Sequence, residues 1–231
     1  MQAERVFSFD DKSNGDRIEV RIPEIVDPQY GMFTWPAAPV LAQFIWHNRE
    51  HIKGKQVIEI GAGTALPGLV ASLCGAHVTL TDKEEYPKCL ENCRQSCRAN
   101  GHDFVKVVGI TWGQFTPNLF KLNKADIILG SDCFYDTKDF DDILATVSFL
   151  MEKNLWAKFW TTYQERSSSR SIEDLLQKWG LKAVQIPLED FNADHGNIGG
   201  SNISDLHTIQ MLQITSQRAQ ENLKTQVDNK A

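Results

Sequence analysis

The stretch Val57-Ile-Glu-Ile-Gly-Ala-Gly-Thr-Ala-Leu-Pro-Gly68 sets three glycines and a proline directly behind an apolar run. The run reads as a buried strand. Gly61 and Gly63, lacking Cβ atoms, read as a tight turn at its end, and the apolar residues from about Leu66 to Cys74 read as the helix that follows. Strand, glycine turn and helix in that order form one unit of an α/β sheet.

The unit repeats along the chain. Strands are expected at Gln56 to Ile60, His77 to Thr81, Val105 to Ile110, Ala125 to Gly130 and Lys158 to Thr162. Helices are expected near Glu84 to Ala99, Lys138 to Met151 and Ser171 to Trp179. Two last strands, Lys182 to Pro187 and His207 to Ile214, have no helix between them. Alternation of this kind builds a mainly parallel, twisted sheet with helices on both faces, and the final pair predicts an antiparallel hairpin at one edge. Upstream, Val40, Leu41, Phe44 and Ile45 recur at helical spacing behind Pro36, so a helix is expected from Pro36 to about Ile52. Further upstream, Arg5 to Phe9 and Arg17 to Ile22 alternate around Lys12-Ser-Asn-Gly15, the pattern of a β-hairpin. The fold class expected is therefore α/β, a seven-stranded Rossmann-like sheet plus an N-terminal hairpin. Residues 1–215 form one domain, with 1–24 as the hairpin extension and 216–231 as a polar, flexible tail.

Composition narrows the function. With 231 residues, 42% apolar and 23% charged, the chain fits one soluble globular domain. No run approaches the ~18 uncharged apolar residues of a membrane span, and the mixed charges of the N-terminus do not suit a signal peptide, so no membrane partner is expected. A net charge of −6 argues against direct nucleic-acid binding and in favour of a basic partner. Cys89, Cys93 and Cys97 recur at one-turn spacing on one helical face, and the five cysteines include no Cys-x-x-Cys pair, so neither a disulfide framework nor a metal site is expected.

In an open parallel sheet, ligands bind beyond the carboxyl ends of the strands, so the glycine loop is the place to look. A dinucleotide fingerprint wants a third small residue three positions after Gly63, where Leu66 stands; here the small residue is Ala65. Asp82 ends the second strand of the sheet. Alone it reads as a helix cap, but behind a glycine loop its carboxylate suits a ribose, whose two hydroxyls it accepts together. Trp112 closes the third strand and offers either a face for an adenine ring or core packing.

Glu59-Ile-Gly-Ala-Gly63 followed by Ala65 is similar to the first motif of seven-strand, S-adenosylmethionine-dependent methyltransferases. With Phe33-Thr-Trp-Pro-Ala-Ala38, Ala125-Asp-Ile-Ile-Leu-Gly-Ser-Asp-Cys-Phe-Tyr135 and Tyr163-Gln-Glu-Arg166 in one order, the chain from about Arg17 to Ile214 resembles the Asp-x-x-Tyr protein methyltransferases, also called methyltransferase family sixteen. The resemblance implies a class I methyltransferase sheet and S-adenosyl-L-methionine as cofactor. It implies that Trp35 lines the amino-acid end of the cofactor, Gly61, Ala62 and Gly63 pass beneath it, and Glu59 meets its ammonium. Asp82 would hold the ribose, Trp112 flank the adenine and Ser131 contact the cofactor beside the reactive centre. Asp132 and Tyr135 would face the incoming substrate as the catalytic pair. Members act mostly on lysine side chains of proteins, while the branch with the Cys133-Phe134 filling and a short acidic body is associated with arginine in histone tails. A monomer working in cytoplasm and nucleus is the corresponding expectation.

Chemistry sharpens the choice of acceptor. A lysine near pKa ~10.4 costs roughly 4–5 kcal/mol to deprotonate at pH 7, within reach of one carboxylate and a tyrosine. A guanidinium at ~12.5 or above costs roughly 7.5 kcal/mol or more, so an arginine enzyme should keep it charged and grip it with a pair of carboxylates. Asp136 and Glu165 are candidates for the second acid beside Asp132, with solvated surface charge as the plainer reading of each. The turn-rich segment Glu189 to Asn202 could face the substrate; its His195, beside Asp194, suits a solvated loop better than a general base. Arg166 could anchor Glu165 or bind a substrate acid. Two rival functions remain: an interaction protein that keeps the fold, and a nicotinamide-dependent oxidoreductase, weakened by Leu66 and by the lack of a Tyr-x-x-x-Lys pair.

Overall fold

A seven-stranded sheet extends to both sides of the apolar run that precedes the glycine loop. In this computed structural model, residues 2–25, 32–164 and 171–219 are described. Strand β3 (Gln56–Glu59) lies at the heart of the sheet, hydrogen-bonded on one side to β4 (His77–Asp82) and on the other to β6 (Ile127–Ser131). Outward from β4 comes β5 (Lys106–Gly109); outward from β6 comes β7 (Lys158–Gln164). These five strands run parallel. β11 (Ile209–Ser216) then pairs antiparallel with β7 and with β8 (Leu181–Ile186), giving the order β5-β4-β3-β6-β7-β11-β8.

The expected pairing of the last two strands is present, with one refinement. β11 inserts between β7 and β8, so β8 alone forms the edge. The connection between them carries a two-stranded ribbon, β9 (Asn197–Ile198) and β10 (Ser201–Asn202), which the turn-rich composition concealed.

Helices cover both faces because β3 alternates. Val57 packs with α1 (Ala37–His47), α3 (Leu66–Leu73) and α4 (Pro87–Ala99), whereas Ile58 packs with α6 (Phe140–Glu152) and α7 (Glu173–Lys178). Two short helical turns, α2 (Arg49–Ile52) and α5 (Pro117–Phe120), lie between the longer elements. The helix expected through Ile52 ends at His47, with α2 a separate turn. α4 starts at Pro87 instead of Glu84, because a proline is accommodated at the first helical position and not within a helix.

The N-terminal hairpin is longer than its alternation implied: β1 (Gln2–Asp11) and β2 (Asp16–Ile25) pair along their whole lengths. It forms a sheet of its own and lies over the helices, not at an edge of the main sheet. Phe7, Phe9, Val20 and Ile22 are fully buried in the same core cluster as α1, α3 and α4. Asn100 fastens it: its Oδ1 accepts the Arg21 N–H at 2.9 Å and its Nδ2 donates to the Arg21 carbonyl at 2.7 Å. The segment around Asn192 to Gly200 packs beneath the hairpin, where Gly199 O accepts the Ser8 N–H at 3.2 Å. β11 ends at Ser216, and most of the expected tail, 216–231, lies outside the described residues.

Candidate active site

The carboxyl ends of β3, β4 and β6 open onto a cavity of about 1110 Å³. That exceeds the ~300–1,000 Å³ of an ordinary small-molecule site and leaves room for a second reactant. Its floor is the glycine loop. Gly61 and Gly63 have φ of 58° and 54°, left-handed conformations that disfavour side chains. A Cβ on Gly61 would also stand 2.7 Å from Trp112 Cζ2, so the bare backbone is what lets the Trp112 ring lie over the loop. Two thiols brace the loop from within: Cys93 Sγ donates to Gly63 O at 3.1 Å and Cys133 Sγ to Ile60 O at 3.5 Å. Burial raises both thiols well above the ordinary range, and so they act as neutral hydrogen-bond donors.

Asp82, at the end of β4, lines the cavity. Its Oδ2 accepts the Gly63 N–H at 2.7 Å and its Oδ1 the Lys83 N–H at 2.7 Å. Burial pushes its carboxyl upward and these two donors pull it back down. Trp35 also lines the cavity, and the preceding Thr34 hydroxyl meets the Thr64 hydroxyl at 2.9 Å, which locks this segment to the loop. Phe33 packs edge-on against Trp35 at 5.8 Å between ring centroids.

Ser131 and Asp132 end β6. Asp132 is 7% exposed and holds φ of 51°, a strained conformation for an aspartate, secured by its N–H donating to Thr162 O at 2.9 Å. Phe134 anchors the turn that follows, stacking edge-on against Phe140 at 5.3 Å and Tyr163 at 6.1 Å. Tyr135 is thereby left at the cavity mouth, 40% exposed. Burial of its hydroxyl, aided by Asp139 nearby, pushes the Tyr135 pKa up to about 12.

The structure thus brings Trp35, Gly61, Ala62, Gly63, Asp82, Trp112, Ser131, Asp132 and Tyr135 to one cavity. Glu59 departs from this group and corrects the expectation that it meets a ligand ammonium. Its side chain is 1% exposed, turns toward α3 and accepts the Gly68 N–H at 3.0 Å. Burial, with Asp82 adding, pushes its pKa up to about 8, so at neutral pH it is largely uncharged. His195 is elsewhere as well. It lines a groove beneath the N-terminal hairpin with Trp46 and Arg49, so its segment is not a wall of the cavity. Asp136 reaches the cavity but is engaged by Lys138, whose N–H lies at 3.1 Å and Nζ at 3.5 Å. Glu165 and Arg166 lie outside the described residues.

Asp139, Asp142, Lys83 and Tyr86 also line the cavity and had not been singled out from the sequence. The signal was the run Asp136-x-x-Asp139-x-x-Asp142, whose spacing places three acids on one side of a helix start. Together with Asp82 and Asp132 they make, among the described residues of the cavity, five aspartates against one lysine, Lys83, a field suited to a cationic reactant.

A family model described as lysine methyltransferase matches residues 14–177. The histone-arginine methyltransferase METTL23 of Xenopus laevis is 51% identical over 217 residues, 93% of each chain. The protein N-lysine methyltransferase METTL21A of Danio rerio is 33% identical over 151 residues, covering 65% of this chain and 69% of the relative. Among solved structures, the 16S rRNA N2 G1207 methyltransferase of T. thermophilus, in complex with AdoMet and guanosine, superposes with a TM-score of 0.60 at 15% identity, covering 92% of this chain and 50% of that one. The last likeness is one of fold.

Proposed function

The chain belongs to the lysine methyltransferase family and is a protein methyltransferase, and on that premise we propose that it uses S-adenosyl-L-methionine to methylate arginine side chains in histone tails. The observation that carries the reading is the single cavity in which the Gly61–Gly63 loop, the Asp82 carboxylate and the Asp132–Tyr135 turn converge inside an acidic rim.

The residues fit the cofactor. A loop in which Gly61 admits no Cβ leaves backbone for a flat nucleoside to lie on, and an aspartate at the end of the adjacent strand is a bidentate acceptor for ribose hydroxyls. In this assignment Gly61, Ala62 and Gly63 pass beneath the cofactor, Asp82 takes the ribose and Trp112 flanks the adenine. Trp35 and Ser131 lie toward its amino-acid end. When bound, S-adenosylmethionine supplies a methyl group made electrophilic by a positive sulfur.

The protein then has to orient the acceptor nitrogen and manage one proton. Positioning alone is worth up to ~7–11 kcal/mol in favourable cases. The Asp132 carboxylate, nearly buried at the end of β6, accepts hydrogen bonds from the acceptor and keeps its charge compensated in a site of reduced dielectric. It is also placed to take the proton that the acceptor nitrogen must lose. Tyr135, held neutral by its raised pKa, contributes a hydroxyl hydrogen bond and an aromatic edge but not a base. The acidic rim draws a basic tail toward this point. The working form in this proposal is a monomer acting in both nucleus and cytoplasm.

The decisive experiment incubates the full chain with radiolabelled S-adenosylmethionine and core histones, followed by hydrolysis and identification of the labelled residue. Methylarginine supports the proposal; label on lysine alone moves the acceptor; no label in any histone, from a chain that binds the cofactor, removes the histone assignment.

A further inference from the structure

Resting on the arginine reading, we propose that Asp139 is the second carboxylate of the acceptor subsite, pairing with Asp132 to make a two-acid fork that favours a planar guanidinium over a lysine ammonium.

A guanidinium presents five N–H donors in a rigid plane, and one carboxylate can satisfy only one edge of it. A second acid must therefore face the same space. Of the cavity's other aspartates, Asp82 is braced by the Gly63 and Lys83 N–H groups and its remaining acceptor positions go to the ribose in this assignment, and Asp136 is taken up by Lys138. Asp142 lies against Gly113, beside the Trp112 wall. Asp139 is left. It stands at the N-cap of α6, where an aspartate ordinarily accepts a helix N–H, yet its side chain makes no capping bond. Among the described residues no hydrogen bond or ion pair engages its carboxylate, although the side chain is half-buried and lines the cavity.

Its surroundings fit a cation. Burial raises the Asp139 carboxyl, with Asp136 and Asp142 adding to the effect and Lys83 and Lys138 opposing it. Asp139 lines the same cavity as Asp132 and Tyr135, and its charge is, after burial, the largest influence on the Tyr135 hydroxyl. Tyr86, which lines the same cavity, already carries a cation on its ring face, with Lys83 Nζ 5.0 Å from its centroid. The acceptor subsite is thus a pocket of two carboxylates with aromatic walls, into which a charged side chain can enter without losing compensation.

The test uses the full chain at saturating S-adenosylmethionine with two peptides that differ only in arginine or lysine at the acceptor position. Asp139→Asn is expected to raise KM for the arginine peptide at least tenfold, to erase most of the preference for arginine over lysine, and to leave cofactor affinity by calorimetry within twofold. Asp139→Glu should recover part of the loss, and Asp136→Asn should cost less than Asp139→Asn. The inference is overturned if Asp139→Asn leaves that KM within twofold, or if it weakens cofactor binding and both peptides alike, as a purely structural helix cap would. A wild-type chain that methylates only the lysine peptide overturns it too, while leaving the protein methyltransferase assignment standing. Transfer to neither peptide by a cofactor-binding chain removes both the inference and the arginine reading on which it rests.

Discussion

The Glu59 carboxylate and the Gly68 backbone N–H, nine residues apart in the chain, meet at 3.0 Å in the interior. Gly68 sits in the first turn of α3, and a Cβ there would run into Glu59 and Leu80. The acid that precedes the glycine loop is therefore a packing partner for the helix that follows it. It sets how closely α3 approaches β3, and through α3 the pitch of the loop on which a nucleoside would lie.

This pairing makes stability fall with rising pH. Buried Glu59 holds its proton up to about pH 8, whereas in the unfolded chain it releases it near 4.5. Between those values the folded state binds more protons than the unfolded one. The stabilisation is complete below 4.5 and is lost as pH rises through 8, where a charged carboxylate must stay buried. At ~1.4 kcal/mol per unit the full effect is worth several kcal/mol. Urea unfolding at pH 6 and pH 9 should show the decline, and Glu59→Gln, which keeps an acceptor for Gly68 without the charge, should flatten it. Equal slopes in the two proteins would refute the assignment.

Gly61→Ala tests the loop itself. Placing a Cβ at φ of 58° costs roughly 1 kcal/mol, and the same atom must push the Trp112 ring off the loop. The expected outcome is roughly a tenfold or greater loss of S-adenosylmethionine affinity by calorimetry, with a fall in thermal midpoint too small to unfold the protein at 25 °C. Undiminished cofactor affinity would mean that the ligand does not lie on this loop.

The pH dependence of turnover separates two roles for Tyr135. With its pKa near 12 the hydroxyl stays neutral, so it cannot act as a base in the working range. Tyr135→Phe is expected to lower kcat by roughly three- to tenfold, the worth of one hydrogen bond, by a similar factor at every pH from about 7 to about 10. An inflection near pH 9 to 10 that is present in the wild type and missing from the variant would show a tyrosinate at work.

Much of this was legible in the sequence because it rests on local rules. Period and punctuation sufficed for the alternating strands and helices and for a glycine loop and an aspartate at the carboxyl ends of β3 and β4, while the Asp-x-x-Tyr turn after β6 was legible only through its resemblance to the family motif. Direction was less legible. An acid two residues before a glycine turn looks the same whether its side chain enters a cavity or a helix interface, and only the packing of Gly68 sends Glu59 to the latter. Asp139 was hidden for a related reason, since an aspartate just ahead of a helix reads as a cap until the missing capping bond is seen. Nor does the alternation of a hairpin say what its apolar face will cover.

That last point yields a stability test far from the cavity. Asn100, at the end of α4, answers both the N–H and the carbonyl of Arg21 on β2, at 2.9 and 2.7 Å, and so acts as a short third strand for the hairpin. It also donates to Ser96 O at 2.7 Å, which fixes its own rotamer. Asn100→Ala leaves two strand groups to find water at the rim of a buried apolar face, and the expected loss is about 1–3 kcal/mol in urea unfolding. Because Phe7, Phe9, Val20 and Ile22 would still favour docking, the hairpin should loosen before the sheet does: its amides should exchange faster in the variant while those of β3 and β6 keep their protection. Unchanged stability together with unchanged hairpin exchange would show that apolar burial alone holds β1 and β2 in place.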